Sequence, residues 1–160
     1  MIKVFDDWLD LTFCTSLDEY ILMYTPHRYG QYANRDASAQ NTFYYSDCSF
    51  DDFYTQYIRE KIKESIDSEV EFLKVLTNIQ YRGMDSTFHS DDGDLTAIYM
   101  VSPTLEDSGS FEYMNEGNRT INKIAFKQNR MIIHDDVDHR ATSPDTVRPR
   151  ITVALQMKSV

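Results

Sequence analysis

Apolar positions recur at helical spacing near the start of the chain, and from about Glu69 onward they alternate with polar ones as strands do. Ile2-Lys3-Val4-Phe5 predicts a short opening strand. Behind Asp10, a residue type that caps helices, Leu11, Cys14, Leu17, Ile21 and Leu22 predict a helix to about Met23. Pro26 to Gln40 mixes Gly, Asn, Asp and Ser without a period and reads as a loop, long for a compact domain. It suits a lid or substrate-facing segment as well as it suits a tolerated surface insertion. Thr42 to Tyr45 predicts a strand. Ser49 or Asp51 then opens a second helix to about Ser68, with Phe53, Tyr57, Ile58, Ile62 and Ile66 as its apolar face.

The strand candidates that follow are Val70 to Tyr81, His89 with its neighbours, Leu95 to Ser102, Ser110 to Met114, Ile121 to Phe126, Arg130 to His134 and Arg150 to Met157. Gly, Asn, Asp and Pro turns separate them. Two helices followed by about seven strands predict a rolled double sheet with helices on one outer face. With 160 residues and no linker or repeat, a single domain over 1–160 is expected: a helical and loop part at 1–69 and a β core at 70–158.

Composition narrows the function classes. A formal net charge of −10 speaks against nucleic acid as a partner, because such binders concentrate Lys and Arg. Cys14 and Cys48 form no metal spacing and read as small buried or half-buried residues in a reducing compartment. The acidic start has no apolar signal core, and the run from Leu95 to Leu105 is too short to span a bilayer, so a soluble cytoplasmic protein is expected.

The chemistry concentrates in two runs, Thr87-Phe88-His89-Ser90-Asp91-Asp92-Gly93 and His134-Asp135-Asp136-Val137-Asp138-His139-Arg140. On a strand, residues two apart share a face, so His89 and Asp91 can converge on one ion, while Asp92 would point away. Two histidines and one carboxylate with open metal positions describe the facial triad of non-haem Fe(II) oxygenases. His-x-Asp alone is weak, and a lone His89 is more often an ordinary hydrogen-bonded residue. The last strand adds to it. Arg150, Thr152, Ala154 and Gln156 lie on one face, and Ile151, Val153, Leu155 and Met157 on the other. If the apolar face meets the helices, Arg150 and Thr152 point inward, and a buried guanidinium needs an anion, best a carboxylate. Solvent-facing charges at a strand start are the plainer alternative for Arg148 and Arg150.

His89-Ser90-Asp91, His139 after 47 intervening residues, and Arg150-Ile151-Thr152 eleven further on together resemble the Fe(II)/2-oxoglutarate-dependent oxygenases. The likeness runs from about Val70 to Lys158. Tyr81-Arg82-Gly83, Ser108-Gly109-Ser110-Phe111 and Asn129-Arg130-Met131-Ile132-Ile133 look like pieces of the prolyl-hydroxylase-like branch, in order. The small size and Val4-Phe5-Asp6-Asp7-Trp8-Leu9 look most like compact members encoded by tailed phages. The resemblance implies a double-stranded β-helix, that is a jelly-roll, cupin-like barrel that is mainly β with flanking helices. It implies that His89, Asp91 and His139 hold Fe(II), and that Arg150 pairs with the distal carboxylate of 2-oxoglutarate with Thr152 beside it. It also implies use of O2, release of succinate and CO2, and hydroxylation of an unidentified peptide, protein or small-molecule substrate.

Tyr99, Asn78 and Gln80 are weaker candidates for the cosubstrate carboxylates, with Tyr99 and Asn78 preferred. Each also reads as an ordinary barrel residue. His134 stands where the family has an aromatic or apolar residue and competes with His139. The distance to Arg150 favours His139, leaving His134 as a supporting or surface histidine. Two other readings stay in view: a metal-holding cupin-like sensor or structural protein without turnover, and an interaction module with incidental histidines.

Overall fold

The computed structural model describes residues 1–32, 42–115, 120–135 and 137–160. Among the described residues, ten strands form two facing sheets and two α-helices lie on one outer side. In chain order the elements are β1 (Ile2–Phe5), α1 (Leu11–Tyr24), β2 (Arg28–Tyr32), β3 (Thr42–Asp47) and α2 (Arg59–Ile66), which continues a π-helical segment, Phe53–Ile58. They are followed by β4 (Val70–Gln80), β5 (Leu95–Met100), β6 (Ser110–Met114), β7 (Ile121–Ala125), β8 (Arg130–His134), β9 (His139–Ala141) and β10 (Arg150–Ser159). The large sheet has the order β1-β8-β5-β10-β4-β3-β2, and the small one β7-β6-β9, every pairing antiparallel.

Local chemistry accounts for the helix ends. Asp10 accepts from the Phe13 amide at 3.1 Å and caps α1, and Thr25 with Pro26 ends it in extended backbone. Asp51 accepts from the Phe53 amide at 2.9 Å at the head of the π-helical segment. Asp67, with φ 54°, ends α2 in the left-handed region.

Two apolar layers separate the faces of the large sheet. Cys14, Leu17, Ile21, Ile58 and Ile62 from the helical layer pack on Val75, Ile79, Ala97, Tyr99, Met131, Ile133, Ile151, Val153, Leu155 and Met157. Between the sheets a smaller cluster joins Met100, Phe111, Phe126 and Ile132. The alternation in β10 is therefore realised as expected: its apolar face meets the helices and its polar face looks at the small sheet.

The fold is mainly β with flanking helices, as predicted, but the sheets face each other without closing into a barrel. Two strands were missed. β2 lies at 28–32 inside the predicted loop, paired to β3 with an irregularity at Gly30, whose φ is 127°. The remainder of that loop, 33–40, lies outside the described residues. β9 is only three residues long, too short to show a period. The expected strand around His89 reduces to one bridge to His139. Among the described residues no helix is long and apolar enough to cross a membrane.

Candidate metal centre and the cavity beside it

The small sheet supplies the two imidazoles. His139 opens β9, and the His89 and His139 backbones exchange amide-to-carbonyl hydrogen bonds at 3.0 and 2.9 Å, which sets the rings side by side with centroids 4.4 Å apart. Each ring is oriented in the same way. His89 Nδ1 lies 2.8 Å from the Thr87 carbonyl and His139 Nδ1 2.9 Å from the Val137 carbonyl. A carbonyl can only accept, so both Nδ1 atoms donate and the Nε2 atoms are the ones left to face a metal.

Both Nε2 atoms face Asp91. His89 Nε2 is 3.7 Å from Asp91 Oδ1 and His139 Nε2 is 3.5 Å from Asp91 Oδ2. One ligand atom from each of the three residues lies within 4.8 Å of the others. Asp91 does not reach this point by strand parity. It sits in an irregular turn, and two side chains of the large sheet hold its carboxylate: Gln156 Nε2 donates to Oδ1 at 2.8 Å and Thr96 Oγ1 to Oδ2 at 2.8 Å. Gly93, φ 125°, lets the turn press against β10, since a Cβ there would come 2.5 Å from the Met157 carbonyl oxygen. Asp92 is exposed at the cavity rim.

Burial, the neighbouring His134 and His89 together outweigh the Asp91 charge and push the His139 imidazole down to about 4, so it is neutral near pH 7. Burial also lowers His134. His134 is 2% exposed, not a surface residue. Its ring centroid is 4.6 Å from that of His139, its Nδ1 donates to the Asp135 carbonyl at 2.7 Å, and its Nε2 has no partner. It stands outside the group of three converging ligand atoms.

A cavity of about 800 Å³ opens beside the trio, between the sheets. Arg150 stands in its wall, 3% exposed, with no acidic side chain in ion-pair contact among the described residues. Its Nη1 donates to the Thr142 carbonyl and, at 3.4 Å, to the Ser110 carbonyl, and its Nη2 donates to Gln80 Oε1. Its Nε is buried without a partner, and its guanidinium lies 5.6 Å from the Phe126 ring centroid. Burial, against the pull of the Asp85 charge, brings its pKa down to about 10, which leaves it charged at neutral pH. Gly109 makes room for it. With φ +81°, a Cβ at that position would overlap the Thr142 carbonyl and come 2.9 Å from Arg150 Nη1.

Thr152 and Asn78, paired across β10 and β4, also line the cavity, and Asn78 Oδ1 is buried without a partner. Tyr99 does not, which corrects the sequence reading. It pairs with Val153, not Thr152, so it points to the helical side, packs on Trp8 with centroids 5.2 Å apart and donates to Asn129 Oδ1 at 2.8 Å. β5 carries large apolar side chains on both faces, so its own pattern does not say which face meets the cavity; Ile98 and Met100 are the residues that line it. Thr96 and Gln156 were missed. Gln156 shares the alternation of Arg150 and Thr152, a signal present in the sequence, whereas nothing distinguished Thr96.

Two imidazole nitrogens, one carboxylate and adjacent open space fit an octahedral Fe(II) with vacant positions better than a closed tetrahedral zinc site. The unpaired buried guanidinium fits a ligand bearing a carboxylate.

No protein-family model matches the chain, and no curated protein matches its sequence. Solved structures do match it. A prolyl hydroxylase from Trichoplax adhaerens, in complex with a hypoxia inducible factor oxygen degradation domain peptide fragment, superposes with a TM-score of 0.75 at 14% identity, covering 98% of this chain and 82% of that one. A prolyl-4-hydroxylase from Pseudomonas putida gives 0.71 at 11% identity, over 97% and 91%. The epimerase SnoN in complex with Fe3+, alpha ketoglutarate and nogalamycin RO gives 0.70 at 11% identity, over 96% and 77%. These are likenesses of fold.

Proposed function

From a chain that has the fold of the 2-oxoglutarate/Fe(II) oxygenases, we propose an Fe(II)- and 2-oxoglutarate-dependent dioxygenase that hydroxylates a peptide or protein side chain. The observation that carries the reading is the pairing of an open His89–Asp91–His139 trio with an unneutralised buried Arg150 in the same cavity. A metal-holding jelly roll without turnover would leave Arg150 unexplained. The chain is read as one domain, supported by β1 and β3 of the N-terminal part pairing with β8 and β4 of the core.

In this reading His89 and His139 offer Nε2 and Asp91 one carboxylate oxygen to the metal. Bound Fe(II) with 2-oxoglutarate and O2 would supply oxidative decarboxylation to succinate and CO2, coupled to oxidation of a substrate C–H bond. The chain does the rest. Thr87 and Val137 fix the imidazole tautomers, and Thr96 and Gln156 hold the carboxylate. Arg150 receives the distal carboxylate, with Thr152 and Asn78 beside it as further polar contacts. Ile98, Met100, Phe111 and Phe126 form the apolar wall that limits water.

A peptide substrate is supported by the likeness to a prolyl hydroxylase solved with a peptide fragment, and the net charge of −10 disfavours nucleic acid. The test is succinate formation from 2-oxoglutarate by the iron-loaded protein against peptide and metabolite panels, with His139→Ala as control. If the iron-loaded protein neither binds 2-oxoglutarate nor releases succinate, the reading is wrong.

A further inference from the structure

Among the described residues, every group that touches the Arg150 guanidinium is neutral. Two are main-chain carbonyls, of Thr142 and Ser110, one is the Phe126 ring, and among the described residues the only polar side chain is the Gln80 carboxamide. Gln80 is itself 3% exposed and its amide orientation is determined: Nε2 donates to the Met84 carbonyl at 2.8 Å, so Oε1 is the atom turned to Arg150. A carboxylate here would make a stronger hydrogen bond to the guanidinium and would cancel its charge.

Resting on the cosubstrate reading above, we propose that Gln80 is a specificity-determining residue. By presenting a neutral side chain where a carboxylate would form an ion pair, it leaves the guanidinium with no charge in contact, the exposed Asp85 acting on it only from a distance. The cavity thereby selects 2-oxo acids that carry a second, distal carboxylate. Asn78 and Thr152, on the same faces of β4 and β10, supply uncharged contacts and keep that end of the cavity free of competing charge.

The claim separates charge from hydrogen bonding, and two near-isosteric variants separate them as well. Gln80→Glu keeps an acceptor for Arg150 but adds a negative charge; Gln80→Met removes the acceptor but adds none. Manganese-loaded protein is titrated calorimetrically with 2-oxoglutarate and with 2-oxobutanoate, which offers the same 2-oxo acid to the metal and lacks the distal carboxylate. Manganese affinity is measured alongside and should not move. The wild type should prefer 2-oxoglutarate by about a few hundred-fold or more, the scale of one buried charge-assisted pair. Gln80→Glu should reduce that preference to a few-fold with 2-oxobutanoate binding unchanged, and Gln80→Met should retain most of it.

If Gln80→Glu keeps the preference and Gln80→Met loses it, Gln80 acts only as a hydrogen-bond prop and the proposal is overturned. Unchanged preference in both variants overturns it too. Should Gln80→Glu not fold, loss of preference in Gln80→Met rejects the proposal, and the charge is added instead from the same face of β4 with Asn78→Asp, which should reduce the preference to a few-fold; retention there overturns the proposal. A wild type that shows no preference overturns the cosubstrate reading and takes this inference with it, whereas a wild-type preference untouched by Gln80→Glu overturns the inference alone.

Discussion

At the scale of single residues, the centre is defined less by its three ligands than by the groups that aim them. Each Asp91 oxygen already accepts one hydrogen bond, so its carboxylate cannot swing. Thr96→Val and Gln156→Leu should each weaken Mn(II) or Co(II) binding by about 10–100-fold with little change in fold, the usual cost of losing an outer support. His89→Ala and His139→Ala should abolish it. His134→Phe should leave metal affinity nearly unchanged, because His134 lies outside the converging atoms; calorimetric loss of binding in that variant would make it a ligand. The two nearby arginines separate in the same way. Arg148 pairs with Asp18 on α1, whose carboxyl burial pushes up against the pull of that same arginine. Arg148→Ala should therefore lower the melting temperature and spare 2-oxoglutarate affinity. Arg150→Ala should cost about 3–5 kcal/mol of that affinity, read from anaerobic titration of the iron-loaded protein.

At the scale of elements, β10 was legible because its two faces differ in chemistry, and its pairing with β4 and β5 carries that difference into the fold. The pieces that were not legible share one cause: their position depends on a partner strand, not on their own pattern. β5 carries large apolar side chains on both sides, so its pattern does not place Tyr99 on a face. β9 and the His89 bridge are too short for a period, and Asp91 is placed by a turn that Gly93 permits. The turn before β8 shows how much one residue can carry. Asn129, φ 62° and 1% exposed, accepts from the Leu9 amide at 3.0 Å and the Tyr99 hydroxyl at 2.8 Å, and donates to the Leu9 carbonyl at 2.6 Å. Asn129→Ala loses all three bonds and puts a side chain that prefers negative φ into the left-handed region. A loss of about 2–4 kcal/mol in urea unfolding is expected. Gly109→Ala should act on function instead, displacing Arg150 and the Thr142 carbonyl together and lowering 2-oxoglutarate affinity more than metal affinity.

At the scale of the whole molecule, the site spans the gap between two sheets that never close. His139 belongs to the small sheet and His89 is bridged to it, while Arg150 and the Asp91 supports Thr96 and Gln156 belong to the large one. A metal ion and cosubstrate bound together would therefore tie the sheets, and any ligand that binds only the folded state raises its stability by mass action. At one hundred times the dissociation constant the gain is about 2.7 kcal/mol, which for a domain of this size corresponds to a rise in melting temperature of roughly 5–10 °C. The single tryptophan reports it. Trp8 packs edge-on to Tyr99 of the large sheet and donates to Ser65 Oγ of α2 at 2.8 Å, so its fluorescence follows the helical layer, on the side away from the cavity. Mn(II) with 2-oxoglutarate should raise the Trp8 melting temperature of the wild type by that amount. Mn(II) alone should raise that of Arg150→Ala with no further gain from 2-oxoglutarate, and neither ligand should move His139→Ala. A shift at Trp8 in His139→Ala equal to that of the wild type would mean the metal binds elsewhere and the two sheets are not joined through this site.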